Sequence, residues 1–270
     1  MLFDLVINPT DLDPSAVVDT ARMAEDSGFD GVWTYDHLSG AVLGGTSIPE
    51  VWTTLGAIGA VTNRITVGPL VTNATLRHPA ILAIAAATLQ EITNGRAILG
   101  LGAGAGPESP YADELGMVAL EAQSAPVRRK IVTEAIDVIR HLWRGDNDLV
   151  GDHFSLHAAT GFIQPETPPL IIVGANGPKM AALAGREADG VNFHSYEGAL
   201  DELIRTTRDA AADRHPVITI QVPFDDEWLH HDHPNRRRLE SLGVDRLMLA
   251  WTGGHGPAAI ERAGPLINQR

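Results

Sequence analysis

Hydrophobic residues along this chain fall into short, nearly continuous runs separated by stretches of helical period. The runs are FDLVIN from Phe3, GVWTYD from Gly31, ITVGPLV from Ile65 and AILGLG from Ala97. After a gap come LIIVGA from Leu170, GVNFH from Gly190, VITIQV from Val217 and RLMLAW from Arg246. Each has strand length, and most are rich in β-branched residues. The helices between them have legible ends. Asp13-Pro14 supplies an N-cap and a first-turn proline, and Gly28 stops the helix that follows. Pro79 and Gly95 bracket another, and Gly177-Pro178 opens a third. From Pro126 to about Leu142, apolar residues recur at Val127, Ile131, Ala135, Val138, Ile139 and Leu142, a helical period.

Eight strands, mostly ~30 residues apart with helices between them, predict parallel βα units. Strands without polar alternation predict burial on both faces. The expected architecture is α/β, a (β/α)8 TIM barrel forming a single domain over residues 1–270. An open doubly wound sheet is the alternative that spacing alone leaves standing. The interval from Leu101 to Leu170 predicts an insertion between the fourth and fifth βα units. The segment FDDEWLHHDHPNRRRLESLG leaves the seventh unit trimmed, with room for only a short helix.

Composition narrows the function. With 270 residues, 44% hydrophobic and 20% charged, the chain can bury a sizeable core and is not biased towards disorder. A formal net charge of -14 argues against nucleic acid or an anionic membrane as partner. Without cysteine there is neither a disulfide framework nor a thiolate metal site. No apolar run approaches the ~20 residues of a membrane span. The opening MLFDLVINP does not read as a signal peptide, so the expected location is cytoplasmic.

In a barrel the chemistry gathers where strands end and βα loops begin. That rule nominates Asn8, Asp36-His37, Thr72-Asn73, Ala103-Gly104, Ala175-Asn176-Gly177, His194-Ser195 and Trp251. The set is polar but poor in charge, suits a planar organic group better than an ion, and predicts no metal. The stretch GRAILGLGAGAGPESPYADELG raises a competing reading. Gly100 opens a loose G-x-G-x-x-A, but Pro107 and Pro110 stand where a dinucleotide-binding helix would run.

Three blocks carry a resemblance. SGFDGVWTYDHLSG, TNRITVGPLVTNATLRHPAILAIAAATLQEITNGRAILGLGAG and PPLIIVGANGPKMAALAGREADGVNF resemble, in order, those of the bacterial luciferase-like superfamily. The resemblance implies a flavin- or deazaflavin-dependent oxidoreductase on a (β/α)8 barrel. It implies that Gly102, Ala103 and Gly104 form the fourth strand end, where bare backbone lets the ring and ribityl chain lie close. Leu70-Val71 resembles the site of the family's non-prolyl cis peptide, a bulge behind the ring. Asn8, Thr72 and Asn73 complete that side of the cofactor site. Gly174-Ala175-Asn176-Gly177-Pro178 resembles the phosphate-binding turn, where free amides at a helix N-terminus would face the phosphate. An ordinary strand-to-helix turn is the plain alternative. His37 resembles the histidine that deazaflavin-dependent members place near the reacting carbon, with Asp36 expected to orient it. A histidine that merely caps a strand end is the alternative there. His194 and Trp251 are expected to line the substrate pocket.

The sequence also departs from the family. Where its sugar-phosphate dehydrogenases carry a carboxylate there is Ala105, which leaves Glu108 as the candidate acid. Lysine is absent from the strand ends, so a phosphorylated sugar is not supported. His230, His231 and His233 lack a geometric partner for a metal, Arg236 to Arg238 read as the solvated face of a short helix, and Ile81 to Leu89 read as core. The favoured function is hydride transfer between the deazaflavin coenzyme F-420 and a small organic substrate. The alternative is an FMN-dependent luciferase-like monooxygenase using reduced flavin and oxygen, with a separate flavin reductase as partner. A non-catalytic flavin-binding protein is a more distant third. A homodimer is one assembly open to the chain.

Overall fold

A computed structural model describes residues 1–195 and 199–269. Strands β1 (Leu2–Ile7), β2 (Gly31–Thr34), β3 (Thr66–Pro69), β4 (Thr72–Asn73) and β5 (Ile98–Gly102) are followed by β6 (Leu170–Gly174), β7 (Gly190–His194), β8 (Val217–Pro223) and β9 (Arg246–Trp251). They form one parallel sheet in the order β3-β2-β1-β9-β8-β7-β6-β5-β4. Its two ends, β3 and β4, are halves of the expected third strand, so the sheet curls round until it meets itself. A parallel bridge from Val67 to Ala97 crosses the seam. The barrel expectation holds with one correction. The third strand is not continuous, because the cis peptide bond between Leu70 and Val71 lies in the gap between β3 and β4.

The helices are α1 (Pro14–Asp26), α2 (Val51–Val61), α3 (Pro79–Ile92), α4 (Asp113–Met117), α5 (Ala125–Arg144), α6 (Pro178–Glu187), α7 (Leu200–Ala210), α8 (Pro234–Ser241) and α9 (Pro257–Ile267). Asp13 caps α1 by accepting from the Ser15 amide, and Gly28 follows the helix at a φ of 95°. Helices α4 and α5 lie in the long interval between β5 and β6, and α8 has only eight residues. Among the described residues no helix is long and apolar enough to cross a membrane.

Two expectations about these helices need correction. Arg236 is not solvated. It is buried with its guanidinium 4.8 Å from the centre of the Phe3 ring, and it donates to the Leu229 carbonyl. Helix α3 is only partly core, since Ile81 and Ile84 are exposed while Leu82, Ala83 and Ala86 are buried.

Side chains alternate along each strand, so the barrel has two apolar layers. Val6, Trp33, Leu70, Ile98, Ile172 and Met248 pack together in the interior. Their sequence neighbours, among them Leu5, Ile7, Val32, Leu99, Val173 and Leu249, belong to the larger cluster between strands and helices. A buried ion pair joins the first and last strands at the floor. Asp4 accepts from Arg246 Nε at 2.7 Å and Nη2 at 3.0 Å, and from Trp33 Nε1 at 2.8 Å. Gly31 admits this pair, because a Cβ there would lie 2.7 Å from Asp4 Oδ1 and 2.9 Å from Arg246 Nη2.

Gly100 sits in a tighter place. A Cβ there would fall 2.0 Å from the Pro69 carbonyl oxygen and 3.2 Å from Val71 Cγ1. Backbone cannot give way as a side chain can. Gly100→Ala should therefore destabilise the fold by about 1–3 kcal/mol, the range for overpacking. An unchanged denaturation midpoint would show that the seam is looser than this geometry requires.

Candidate active site

The alternation that builds the two layers also sorts the strand-end residues. Trp33 and Tyr35 pack into the barrel interior, so His37, two residues further, ends on the same side, and Asp36 on the other. Asn8 follows Val6 in the same parity. Gly174 and Asn176 follow Ile172, and His194 follows Asn192. Ala175 and Trp251 belong to the outer cluster, and Ala103 packs against it. Leu70 belongs to the interior cluster and Val71 packs against it, so two consecutive residues face the same space.

Trp251 therefore leaves the predicted substrate pocket. It is buried among strands and helices, and its Nε1 donates to the Gly256 carbonyl at 3.2 Å. Its neighbour Ala250 packs against the interior instead. One residue of parity moved it to the wrong face.

Asp36 needs a second correction. It does not orient His37. Its carboxylate is buried and held by Arg77, with Nη1 2.5 Å from Oδ2 and Nη2 2.9 Å from Oδ1. It also accepts from Thr72 Oγ1 at 2.6 Å and from the Asn73 amide at 3.2 Å. Asp36 thus ties the end of β2 to β4. Arg77 reaches Glu50 as well, at 3.1 Å. Burial pulls the Arg77 guanidinium down, but the bonds and charges of Asp36 and Glu50 outweigh it and hold the group above its ordinary value.

The carboxylate beside His37 is Glu114, in α4. Both of its oxygens lie 3.2 Å from His37 Nδ1, and Oε2 accepts from the Leu38 amide at 2.8 Å. Glu114 is 2% exposed, so its geometry is set by protein alone. The Tyr111 ring lies 5.5 Å from the imidazole, centre to centre, at a tilt of 35°. The segment after β5 thus folds back over the end of β2. With Nδ1 engaged by the carboxylate, Nε2 is the ring atom left to give or take a proton. Glu108 is exposed and makes no hydrogen bond or ion pair among the described residues.

Polar groups also enter the interior below this pair. Gln221 Nε2 donates to Tyr35 Oη at 2.8 Å, joining β8 to the end of β2. Across the mouth His194 is half-buried, and burial holds its imidazole below the ordinary value. Arg77, Glu114, Tyr35, Tyr111 and Gln221 were absent from the predicted site. Arg77 stands inside the LRHP portion of the long family block, the one signal that could have marked it.

The glycines at the fourth strand end admit neighbouring side chains. A Cβ at Gly102 would lie 2.5 Å from Val71 Cγ2, and one at Gly174 would lie 3.1 Å from the same atom. A Cβ at Gly104, whose φ is 68°, would lie 2.4 Å from Asn73 Oδ1. Arg128 donates to the Gly104 carbonyl and steadies the loop. At the other turn the space is free. Gly177 has an extended φ of 174°, no side chain caps α6, and a Cβ at Gly177 would meet nothing within 4 Å. Backbone donors with room before them suit a phosphate. Among the described residues no group of histidines and carboxylates could hold a metal ion. Of the HHDHP histidines, His233 caps α8 by accepting from the Arg236 amide.

Comparisons with known proteins bear on the family and the fold. The F-420-dependent glucose-6-phosphate dehydrogenase of Microbacterium testaceum is 38% identical over 179 residues, covering 66% of this chain and 52% of that protein. This chain thus spans about half the length of that relative. The 5,10-methylenetetrahydromethanopterin reductase of Archaeoglobus fulgidus is 35% identical over 245 residues, covering 90% of this chain and 68% of that protein. Among solved structures, an F-420-dependent secondary alcohol dehydrogenase in complex with an F-420-acetone adduct superposes with a TM-score of 0.83 at 20% identity, covering 98% of both chains. At that identity the likeness shows the fold alone. The description luciferase-like monooxygenase matches residues 5–224, from the first strand to the end of the eighth, and the chain belongs to that family.

Proposed function

We propose that this protein is an oxidoreductase that moves a hydride between coenzyme F-420 and a small organic substrate at the barrel mouth. The observation that carries this reading is the His37–Glu114 pair, an imidazole aimed by a buried carboxylate at the catalytic end of β2. The F-420 dependence named for the Microbacterium testaceum relative supports the choice of coenzyme. When bound, the deazaflavin supplies a ring carbon that accepts or releases hydride. The chain's own residues do the rest. Glu114 fixes the ring, Nε2 of His37 exchanges the substrate proton, and Tyr111 covers one side of the imidazole. Asn8, Val71 and Asn73 line the cofactor side, and the amides around Asn176 and Gly177 take the phosphate.

The substrate carries no phosphate in this reading. Among the described residues the strand ends have no lysine, and Arg77 is committed to Asp36 and Glu50. An uncharged alcohol or carbonyl fits a mouth of this kind. Titration of the apoprotein with F-420 and with FMN, followed by absorbance and fluorescence, separates the cofactors. Tight binding of FMN with none of F-420 would turn the assignment to a flavin monooxygenase.

The phosphate position has its own test. Because the space beside Gly177 is open, Gly177→Asp adds a negative charge without a clash. It should weaken F-420 binding at least ~10-fold while leaving the melting temperature unchanged, since 1.4 kcal/mol corresponds to a factor of ten. Unaltered affinity would move the phosphate to another part of the mouth.

A further inference from the structure

The run Met117-Val118-Ala119-Leu120 is apolar throughout, and each of its residues is exposed. Met117 is 58% exposed and Val118 50%. Successive apolar side chains left in water are a liability to a folded protein, and such a run is retained where it has a use. This one closes α4, in the segment that folds back over the end of β2. It therefore stands at the barrel mouth.

Helical period ties the run to the His37–Glu114 pair. A 3-10 turn over Pro110–Ala112 leads into α4 without a break, since Ala112 has a helical φ of -70° and ψ of -20°. Residues three and four apart share a helix face. Tyr111, Glu114, Met117 and Val118 consequently form one stripe. Glu114 is its buried member and meets His37 and the Leu38 amide, while Tyr111 lies against the imidazole. The face that meets His37 thus continues for another turn as Met117 and Val118. At ~1.5 Å per residue the stripe is about 10 Å long, and it is about one helix diameter, ~10 Å, wide. An area of ~100 Å² is far below the ~800 Å² that each partner buries in a stable protein interface. A strip of that size suits a small molecule.

We infer that this strip takes the hydrocarbon body of the substrate, whose reacting alcohol or carbonyl carbon lies at His37. The inference rests on the hydride transfer proposed above and names its substrate class, an alcohol or carbonyl compound with an alkyl chain about as long as the strip. In the oxidative direction the alcohol carbon gives its hydride to the coenzyme, the hydroxyl proton passes to His37 Nε2, and the carbonyl compound leaves. The alkyl chain takes no part in that exchange. Its burial acts on binding, and the gain grows with each methylene that reaches Met117 and Val118.

Calorimetric titration with a series of secondary alcohols from butan-2-ol to decan-2-ol tests it, with absorbance of F-420 recording hydride transfer in parallel. Affinity should rise roughly threefold with each added methylene. The rise should disappear in a Met117→Ser, Val118→Ser variant and survive in Met117→Leu. Thermal melting checks that each variant is folded. Affinity independent of chain length would overturn the inference, as would a rise that persists in the serine variant or failure of every alcohol to bind. A self-association of the protein that the serine variant abolishes, with no dependence on chain length, would give the strip to a second copy instead. Turnover of the alcohols without a chain-length effect would remove the strip's role and leave the proposed function intact. Chain-length-dependent binding without hydride transfer would keep the strip as an alkyl site and remove the proposed function.

Discussion

A His37→Ala protein should transfer hydride about 100-fold more slowly or worse, the lower range for loss of a general acid-base group, while F-420 binds nearly as before. The reason is positional. His37 closes the inward-facing series Trp33, Tyr35, His37 at the mouth, with Nδ1 held by Glu114 and Nε2 directed away from that contact. Single-turnover measurements at saturating coenzyme isolate the chemical step. Glu114→Gln offers a finer test, because the amide can still accept from Leu38 but can no longer balance an imidazolium. It should lower turnover less than His37→Ala. A wild-type rate in His37→Ala would remove the imidazole from the mechanism. The residue would then be a strand-end cap, and its loss would register in stability instead.

Arg246→Met should lower stability by about 3–5 kcal/mol, because it leaves Asp4 as a buried charge without its partner. Asp4 is 0% exposed and Arg246 is 8% exposed, so water cannot replace the lost bonds. Burial pulls the guanidinium of Arg246 down, and the charge and hydrogen bonds of Asp4 more than restore it. The loss should appear as a drop in melting temperature on the order of 10 °C for a domain of this size. Replacing both partners, Asp4→Leu with Arg246→Met, should recover much of it, since the cost lies in the unpaired charge and not in the absence of the bridge. If the single variant melts with the wild type, Asp4 is reached by solvent and the floor of the barrel is open.

The strands were legible because both faces of a barrel strand are buried, which writes an apolar run that local reading detects. Helix ends were legible for a similar reason. Asp13-Pro14 and Gly28 act within one turn of where they stand. The break in ITVGPLV is invisible to hydrophobic pattern, since Leu70 and Val71 are as apolar as their neighbours. Only the resemblance marked it. The site is less legible, for one physical reason. Adjacency suggested that Asp36 would serve His37, yet alternate residues of a strand face opposite ways, and Asp36 was turned towards Arg77. The carboxylate that does meet His37 is 77 positions away. No local pattern can pair residues so distant, whereas Glu108 stands close to the glycine loop in sequence. Trp251 failed on the same parity as Asp36.

The Asp4–Arg246 pair carries a consequence for how the chain is made. Its partners are separated by 242 positions, and β1 joins β9 through a register running from Leu2 with Arg246 to Ile7 with Trp251. On the ribosome, the first strand can pair with β2 as soon as Gly31 to Thr34 emerge, but its other edge has nothing to bind. The emerging chain must therefore wait, with one unpaired edge and one unmatched carboxylate, until β9 has been synthesised. Closure is the last event open to this topology. A nascent chain stalled before Arg246 presents a sheet edge that any other unfinished copy could fill, so the interval before β9 emerges is when edge-to-edge association is most open to it.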